Sequence, residues 1–129
     1  MKTQNAQQVR FKIHVSTVYI PEESRPEEKI YFFAYKIRIE NNGQTPAQLI
    51  SRHWIISDLR GHLEEVRGPG VVGQQPRIQP GNSFEYESAC PLNSNSGSMR
   101  GFYDMKTDDG DVFQVEIPEF FLVAPCAVH

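Results

Sequence analysis

Two stretches decide the fold: Val9-Arg10-Phe11-Lys12-Ile13-His14-Val15-Ser16-Thr17-Val18-Tyr19 and Ile30-Tyr31-Phe32-Phe33-Ala34-Tyr35-Lys36-Ile37-Arg38-Ile39-Glu40. In the first, Val9, Phe11, Ile13, Val15, Thr17 and Tyr19 alternate with Arg10, Lys12, His14 and Ser16. In the second, Tyr31, Phe33, Tyr35, Ile37 and Ile39 fall on one face, with Phe32, Ala34, Lys36, Arg38 and Glu40 on the other. A period of two is that of an extended strand with one face on a core and one in water. The segment between them, Pro21 to Lys29, is charged and carries Pro21 and Pro26, which suits a surface loop.

Working outward, Asn41-Asn42-Gly43 ends the second strand and is expected to reverse the chain. Ala47 to Leu59 reads as a third strand holding the single tryptophan, Trp54, with a turn at Asp58 to Gly61. After a short piece at Leu63 to Val66 comes Gly68-Pro69-Gly70-Val71-Val72-Gly73-Gln74-Gln75-Pro76, whose glycines and prolines exclude a helix and disfavour a long regular strand. An ordered loop is expected there. Pro80-Gly81 is a turn, Asn82 to Cys90 a strand with Phe84 and Tyr86 on one face, and Asn93 to Ser98 a small-residue loop. Met99 to Lys106 and Val112 to Ile117 read as a hairpin around Asp108-Asp109-Gly110-Asp111, and Phe120 to Val123 as a last short strand. About seven short strands and no apolar helical period predict an all-β, two-sheet antiparallel sandwich of the fibronectin type III or immunoglobulin kind.

With 129 residues the chain has the size of one domain, read as a domain over 9–123 between a flexible N-terminal tail, 1–8, and a C-terminal tail, 124–129. Apolar residues make up 39%, including eight Phe and five Tyr, enough bulk for a packed interior. The formal net charge of -3, with no block of Lys and Arg, argues against nucleic acid or an anionic membrane surface as a partner. No window approaches a membrane span and the N-terminus lacks an apolar targeting core, so the expected location is cytoplasmic. In that reducing compartment Cys90 and Cys126 are expected to be free thiols, and neither has a base or cation beside it in sequence.

Gly68, Gly70 and Gly73 match the spacing GxGxxG, which in dinucleotide-binding folds sets pyrophosphate on the amides of a helix N-terminus. Pro76 and Pro80 prevent such a helix, and no βαβ pattern surrounds the motif. What stays open is a nest of Gly-rich amides that, with Arg67 or Arg77, holds a phosphorylated nucleotide. Arg52 and Trp54 share one strand face, and Arg52 is expected to stack or to pair with an acidic neighbour; His53 points the other way and has no nucleophile fixed beside it. The spacings of Asp58, His62, Glu64 and Glu65, and of Asp108, Asp109 and Asp111, match no established zinc or calcium loop. No metal or cofactor is therefore expected.

Ser51-Arg52-His53-Trp54-Ile55-Ile56 and Glu64-Glu65-Val66-Arg67-Gly68-Pro69-Gly70-Val71-Val72-Gly73-Gln74-Gln75-Pro76 resemble the signature of the ApaG family. Phe33-Ala34-Tyr35, Ile39-Glu40-Asn41-Asn42-Gly43, Pro80-Gly81, Phe84-Glu85-Tyr86, Gly97-Ser98-Met99-Arg100-Gly101 and Ile117-Pro118-Glu119-Phe120 extend the resemblance from Val9 to Val123. It implies a fibronectin type III-like sandwich that stands alone in bacteria and is appended to an F-box protein and a polymerase-delta-interacting protein in eukaryotes. It also implies a link with cobalt and magnesium resistance, and a family name taken from proximity to diadenosine tetraphosphate hydrolysis. With no appended region, this chain resembles the free-standing bacterial form.

The function expected from these readings is a non-catalytic module that binds an unidentified protein partner, the chain itself being a monomer or weak homodimer. Its candidate contact residues are Arg67, Gly68, Gly70, Val71, Val72, Gly73 and Arg77, with Arg52 and His53 as further recognition residues. One of the two valines is expected to be buried and the other exposed. The alternative, from a different class, is a nucleotide-binding protein using the glycine-rich loop.

Overall fold

The computed structural model describes residues 10–125. Eight strands follow in order: β1 Phe11–Tyr19, β2 Tyr31–Asn41, β3 Ala47–Asp58, β4 Leu63–Pro69, β5 Arg77–Ile78, β6 Ser83–Leu92, β7 Ser96–Thr107 and β8 Val112–Val123. Two 3-10 turns, Pro21–Glu23 and Pro26–Glu28, interrupt the β1–β2 connection; each opens on a proline, whose fixed φ suits that position. One sheet has the order β1-β2-β6; the other runs β4-β3-β7-β8, with β5 also pairing with β3. All pairings are antiparallel. This is the expected two-sheet sandwich, with one strand more than anticipated because Arg77 and Ile78 pair with Gln48 and Ala47.

The alternation read in β2 is real: Phe33, Tyr35, Ile37 and Ile39 are all buried and form one wall of the core. Leu49 and Trp54 of β3, Met99, Tyr103 and Met105 of β7, and Ile117 and Leu122 of β8 form the facing wall. The edges of β1 and β8 approach one another, with Phe11 and Phe113 at 6.0 Å between ring centroids. That side of the sandwich is closed, whereas between the edges of β4 and β6 the sheets stand apart around a groove.

Four local expectations are corrected. Asn41-Asn42-Gly43 does not fold the chain back into a hairpin: Asn41 ends β2, and the chain crosses to the other sheet to begin β3. The buried Asn41 side chain organises that crossing, Nδ2 donating to the carbonyls of Thr45 (3.0 Å) and Ile78 (2.9 Å) and Oδ1 accepting from the Gly43 amide. Gly68 and Pro69 belong to β4 rather than to the loop; β4 is an edge strand, where a residue without an N–H is tolerated. The loop after β6 is shorter than expected, since β7 already begins at Ser96. Val112 to Val123 is one strand, because a bulge sets Pro118 and Glu119 opposite Arg100 and lets pairing resume at Phe120. Glu119 then accepts a 2.6 Å hydrogen bond from Ser98.

Candidate functional site

Side chains on the inner face of a strand recur at every second residue, and this rule builds the groove between β4 and β6. From β3 come Arg52, Trp54 and Ile56; their partners on β4 are Gly68, Val66 and Glu64. From β6 come Tyr86, Ser88 and Cys90, and from β2 comes Tyr35. The groove has two lobes, of 360 Å³ beside Arg52, Tyr86 and the tip of the 70–73 turn, and of 250 Å³ beside Glu64, Val66 and Cys90. Trp54, 3% exposed, is its floor, packed edge-on against Tyr35, Tyr103 and Phe120 at 5.7, 6.4 and 5.9 Å.

Arg52 takes no acidic partner among the described residues. Its guanidinium crosses Gly68, and Nη1 donates to the carbonyls of Pro69 (3.0 Å) and Gly70 (2.9 Å). The correction has a simple cause: Gly68 lies directly opposite Arg52 and leaves the space that a side chain would fill. A Cβ on Gly68 would lie 3.0 Å from Nη1. The remaining guanidinium N–H groups form no hydrogen bond among the described residues, so a charged donor with unused capacity sits at the mouth of an aromatic groove.

Residues 70–76 are anchored on an irregularity in β3, where the register with β7 shifts between Leu49 and Ser51. The Ile50 carbonyl left over by that shift accepts from the Gly70 amide and from Gln75 Nε2, both at 2.8 Å. The chain then makes a two-residue turn closed by reciprocal bonds between Val71 and Gln74, N to O, of 2.8 and 2.9 Å. Val72 has φ +43° and Gly73 φ +79°, the twist of a type I′ turn. Val71 is 1% exposed and joins the core, whereas Val72 is 52% exposed at the tip, so one valine is buried and one exposed, as expected. A β-branched residue at positive φ is an outlier, with a strain of roughly 1–3 kcal/mol.

The three glycines of the GxGxxG spacing therefore meet three separate structural demands. Gly68 makes room for Arg52, Gly73 supplies positive φ in the turn, and Gly70 combines φ +60° with a Cβ position only 2.3 Å from the Gln74 carbonyl. The amides of Gly70, Val71 and Gln74 already donate to protein carbonyls.

The other candidates are dispersed. Arg67 and His53 are register partners on the outer face of the sheet, where Glu65 receives both, from Arg67 at 3.2 Å and from His53 at 3.3 Å. They border a shallow, open concavity of 640 Å³ with Asp104 and Gln114. Arg77 is turned away from the turn tip and forms a two-pronged ion pair with Asp108. That pair holds the Asp108 carboxyl below the usual carboxylate range. Asp58 is committed to its own turn, its Oδ1 accepting from the amides of Arg60 (2.9 Å) and His62 (3.0 Å). Among the described residues no group of three or more His, Cys, Asp and Glu side chains is placed to hold a metal ion. Cys90 is a free, buried thiol, pushed up to about 11 by desolvation first and by the charge of Glu64 second. Cys126 lies outside the described residues.

Sequence reading missed Tyr35, Tyr86, Ser88 and Glu64 as parts of the site, since they come from three strands and only the sheet pairing brings them together. Tyr86 and Tyr103 share a buried hydroxyl–hydroxyl hydrogen bond of 2.5 Å beneath the groove. Burial raises the titration of both, a neutral pair that leaves Arg52 as the dominant charge at that end.

With this geometry established, comparison with known proteins gives a direct answer about kinship. The ApaG domain family matches residues 21–107. The chain belongs to the ApaG family. It is similar to the ApaG protein of Bdellovibrio bacteriovorus, 60% identical over 92% of this chain and 94% of the relative, and to that of Dechloromonas aromatica, 51% identical over 93% and 94%. It is also similar to the crystal structure of a protein named ApaA from Bordetella pertussis, with a TM-score of 0.90 and 48% identity over 94% of this chain and 98% of that one. No helix among the described residues is long and apolar enough to cross a membrane.

Proposed function

We propose that this ApaG-family chain is a non-catalytic binding module that engages another protein through the 70–76 turn and the groove beneath it. One observation carries the reading: Val72 is 52% exposed while held at φ +43°. The strain has no counterpart in core packing, because the side chain faces solvent. Strain kept at a surface tip is characteristic of contact sites. The buried Val71 and the proline-flanked chain hold the turn in place, so that little ordering is lost on association.

Two features favour this reading over nucleotide binding. Of the Gly68–Gly73 amides that a phosphate nest would use, those of Gly70 and Val71 already donate to Ile50 and Gln74, and Arg67 and Arg77 point to Glu65 and Asp108 rather than to one site. The chain is proposed to act in the cytoplasm, as a monomer or weak homodimer. Its family's association with cobalt and magnesium resistance is read as acting through the bound partner.

The test is Val72→Asp. Affinity capture from host lysate with the unaltered chain, followed by reconstitution with the purified partner, should succeed, and Val72→Asp should abolish both with the melting temperature retained or raised, since Asp also accepts positive φ. Unchanged capture by the variant defeats the proposal, as does titration of the unaltered chain with ATP or pyrophosphate showing micromolar affinity.

A further inference from the structure

The geometry points to the class of partner segment: an extended peptide that adds as a strand to the free edge of β6 and carries a basic and an acidic side chain four residues apart, with an apolar one midway. This rests on the binding-module reading above and specifies its ligand.

The backbone supplies the first half of the argument. Among the described residues β6 pairs only with β2. Ile20 N donates to Phe32 O, so the even-numbered residues of β2 face β1 and the odd-numbered ones face β6. Their partners Phe84, Tyr86, Ser88 and Cys90 spend their backbone groups on β2, and those of Glu85, Glu87 and Ala89 face outward over the groove. Pro91, next in that series, has no N–H, which ends the usable edge. Unpaired N–H and C=O groups at a sheet edge are what recognition by strand addition uses.

Charge supplies the second half. A strand added at β6 sends every second side chain inward, opposite Tyr86, Ser88 and Cys90. At the Tyr86 end lies Arg52 with unused N–H groups, at the Cys90 end lies Glu64, and between them are the rings of Tyr35 and Trp54. Arg52 and Ile56, the register partner of Glu64, are four residues apart on β3, which puts the two charges about 13 Å apart along the strand direction. The inward positions of an added strand repeat at the same interval. In the antiparallel orientation the segment reads, from N- to C-terminus, Lys or Arg, any residue, an apolar residue, any residue, then Asp or Glu.

The probe is a capped synthetic heptapeptide with Lys, Leu and Glu at its second, fourth and sixth positions and Thr elsewhere, titrated into the isotope-labelled chain. Binding with a dissociation constant of about 10–100 µM is expected, with amide shifts and slowed hydrogen exchange at Glu87 and Ala89. Glu64→Lys, at an exposed position, should weaken it about fivefold or more, and a peptide with Glu in place of Lys should recover the loss. Ala89→Pro should prevent binding while leaving the β2 ladder intact. No binding at millimolar peptide, equal binding of a charge-neutral peptide, or indifference to Ala89→Pro overturns the inference. If Val72→Asp abolishes capture of the reconstituted partner while Glu64→Lys and Ala89→Pro leave it unchanged, the binding-module reading stands and the strand-addition proposal falls.

Discussion

Arg52 and Gly68 are direct cross-strand partners, and the guanidinium of one occupies the place where the other would carry a side chain. This pairing joins the loop to the sheet, because Arg52 continues past Gly68 to the carbonyls of Pro69 and Gly70. Gly68→Ala meets only the far end of a flexible side chain, so its expected stability loss is small, about 1 kcal/mol or less. Gly101→Ala places a Cβ 2.0 Å from the His53 carbonyl, where backbone itself must move. Chemical denaturation should therefore rank Gly68→Ala as mild and Gly101→Ala as severe; the reverse order would refute the packing described.

Val72→Asn should stabilise the chain. Asn accepts the left-handed conformation that a β-branched side chain resists, and the side chain is solvent-exposed, so nothing is lost from the core. A gain of about 1 kcal/mol is expected in denaturant melts, together with weaker partner association. A gain in both, or a loss in stability, would contradict the assignment of Val72 as a strained contact residue.

Trp54→Ala should cost roughly 3–5 kcal/mol, since it removes the aromatic against which Tyr35, Tyr103 and Phe120 pack. Urea denaturation measures it directly, and a loss below about 1 kcal/mol would show that the groove floor is not part of the core.

The Tyr86–Tyr103 pair should behave asymmetrically. Tyr103→Phe leaves the buried Tyr86 hydroxyl without its partner, a loss of about 1–3 kcal/mol, whereas replacing both tyrosines by phenylalanine should bring stability back toward that of the unaltered chain. A double-mutant cycle with no coupling would remove the bond from the account.

Arg77 holds the Asp108 carboxyl below its ordinary range, chiefly through its hydrogen bonds. A depressed carboxylate contributes stability that is present above the ordinary value and is lost as pH falls through the lowered one. Carbon-detected NMR titration should show the low value in the unaltered chain and its return upward in Arg77→Gln. No movement would mean that the ion pair does not persist in solution.

The strands were legible because their pattern is local. Period-two alternation in Tyr31 to Glu40 named the buried side of β2 correctly, since successive side chains of any strand must point to opposite faces. One buried and one exposed valine is also what the parity of an extended segment predicts for Val71 and Val72; the outcome agrees, but the reason differs, because Val72 is exposed by its place at the tip of a tight turn, at φ +43°, and not by strand alternation. The family resemblance in residues 51–56 and 64–76 was likewise a property of the linear sequence. The groove was not. Tyr35, Arg52, Glu64, Tyr86 and Ser88 lie up to 53 positions apart, from Tyr35 to Ser88, and apart from Tyr86 and Ser88, two apart on β6, no spacing in the chain relates them. Their meeting depends on which sheet each strand joins and on which pair of edges stays open, and both are settled by long-range hydrogen bonding and core packing. The partner of Arg52 was invisible for the same reason: that Gly68 would lie opposite it, rather than an acidic residue, is a matter of register, decided only when β3 and β4 pair.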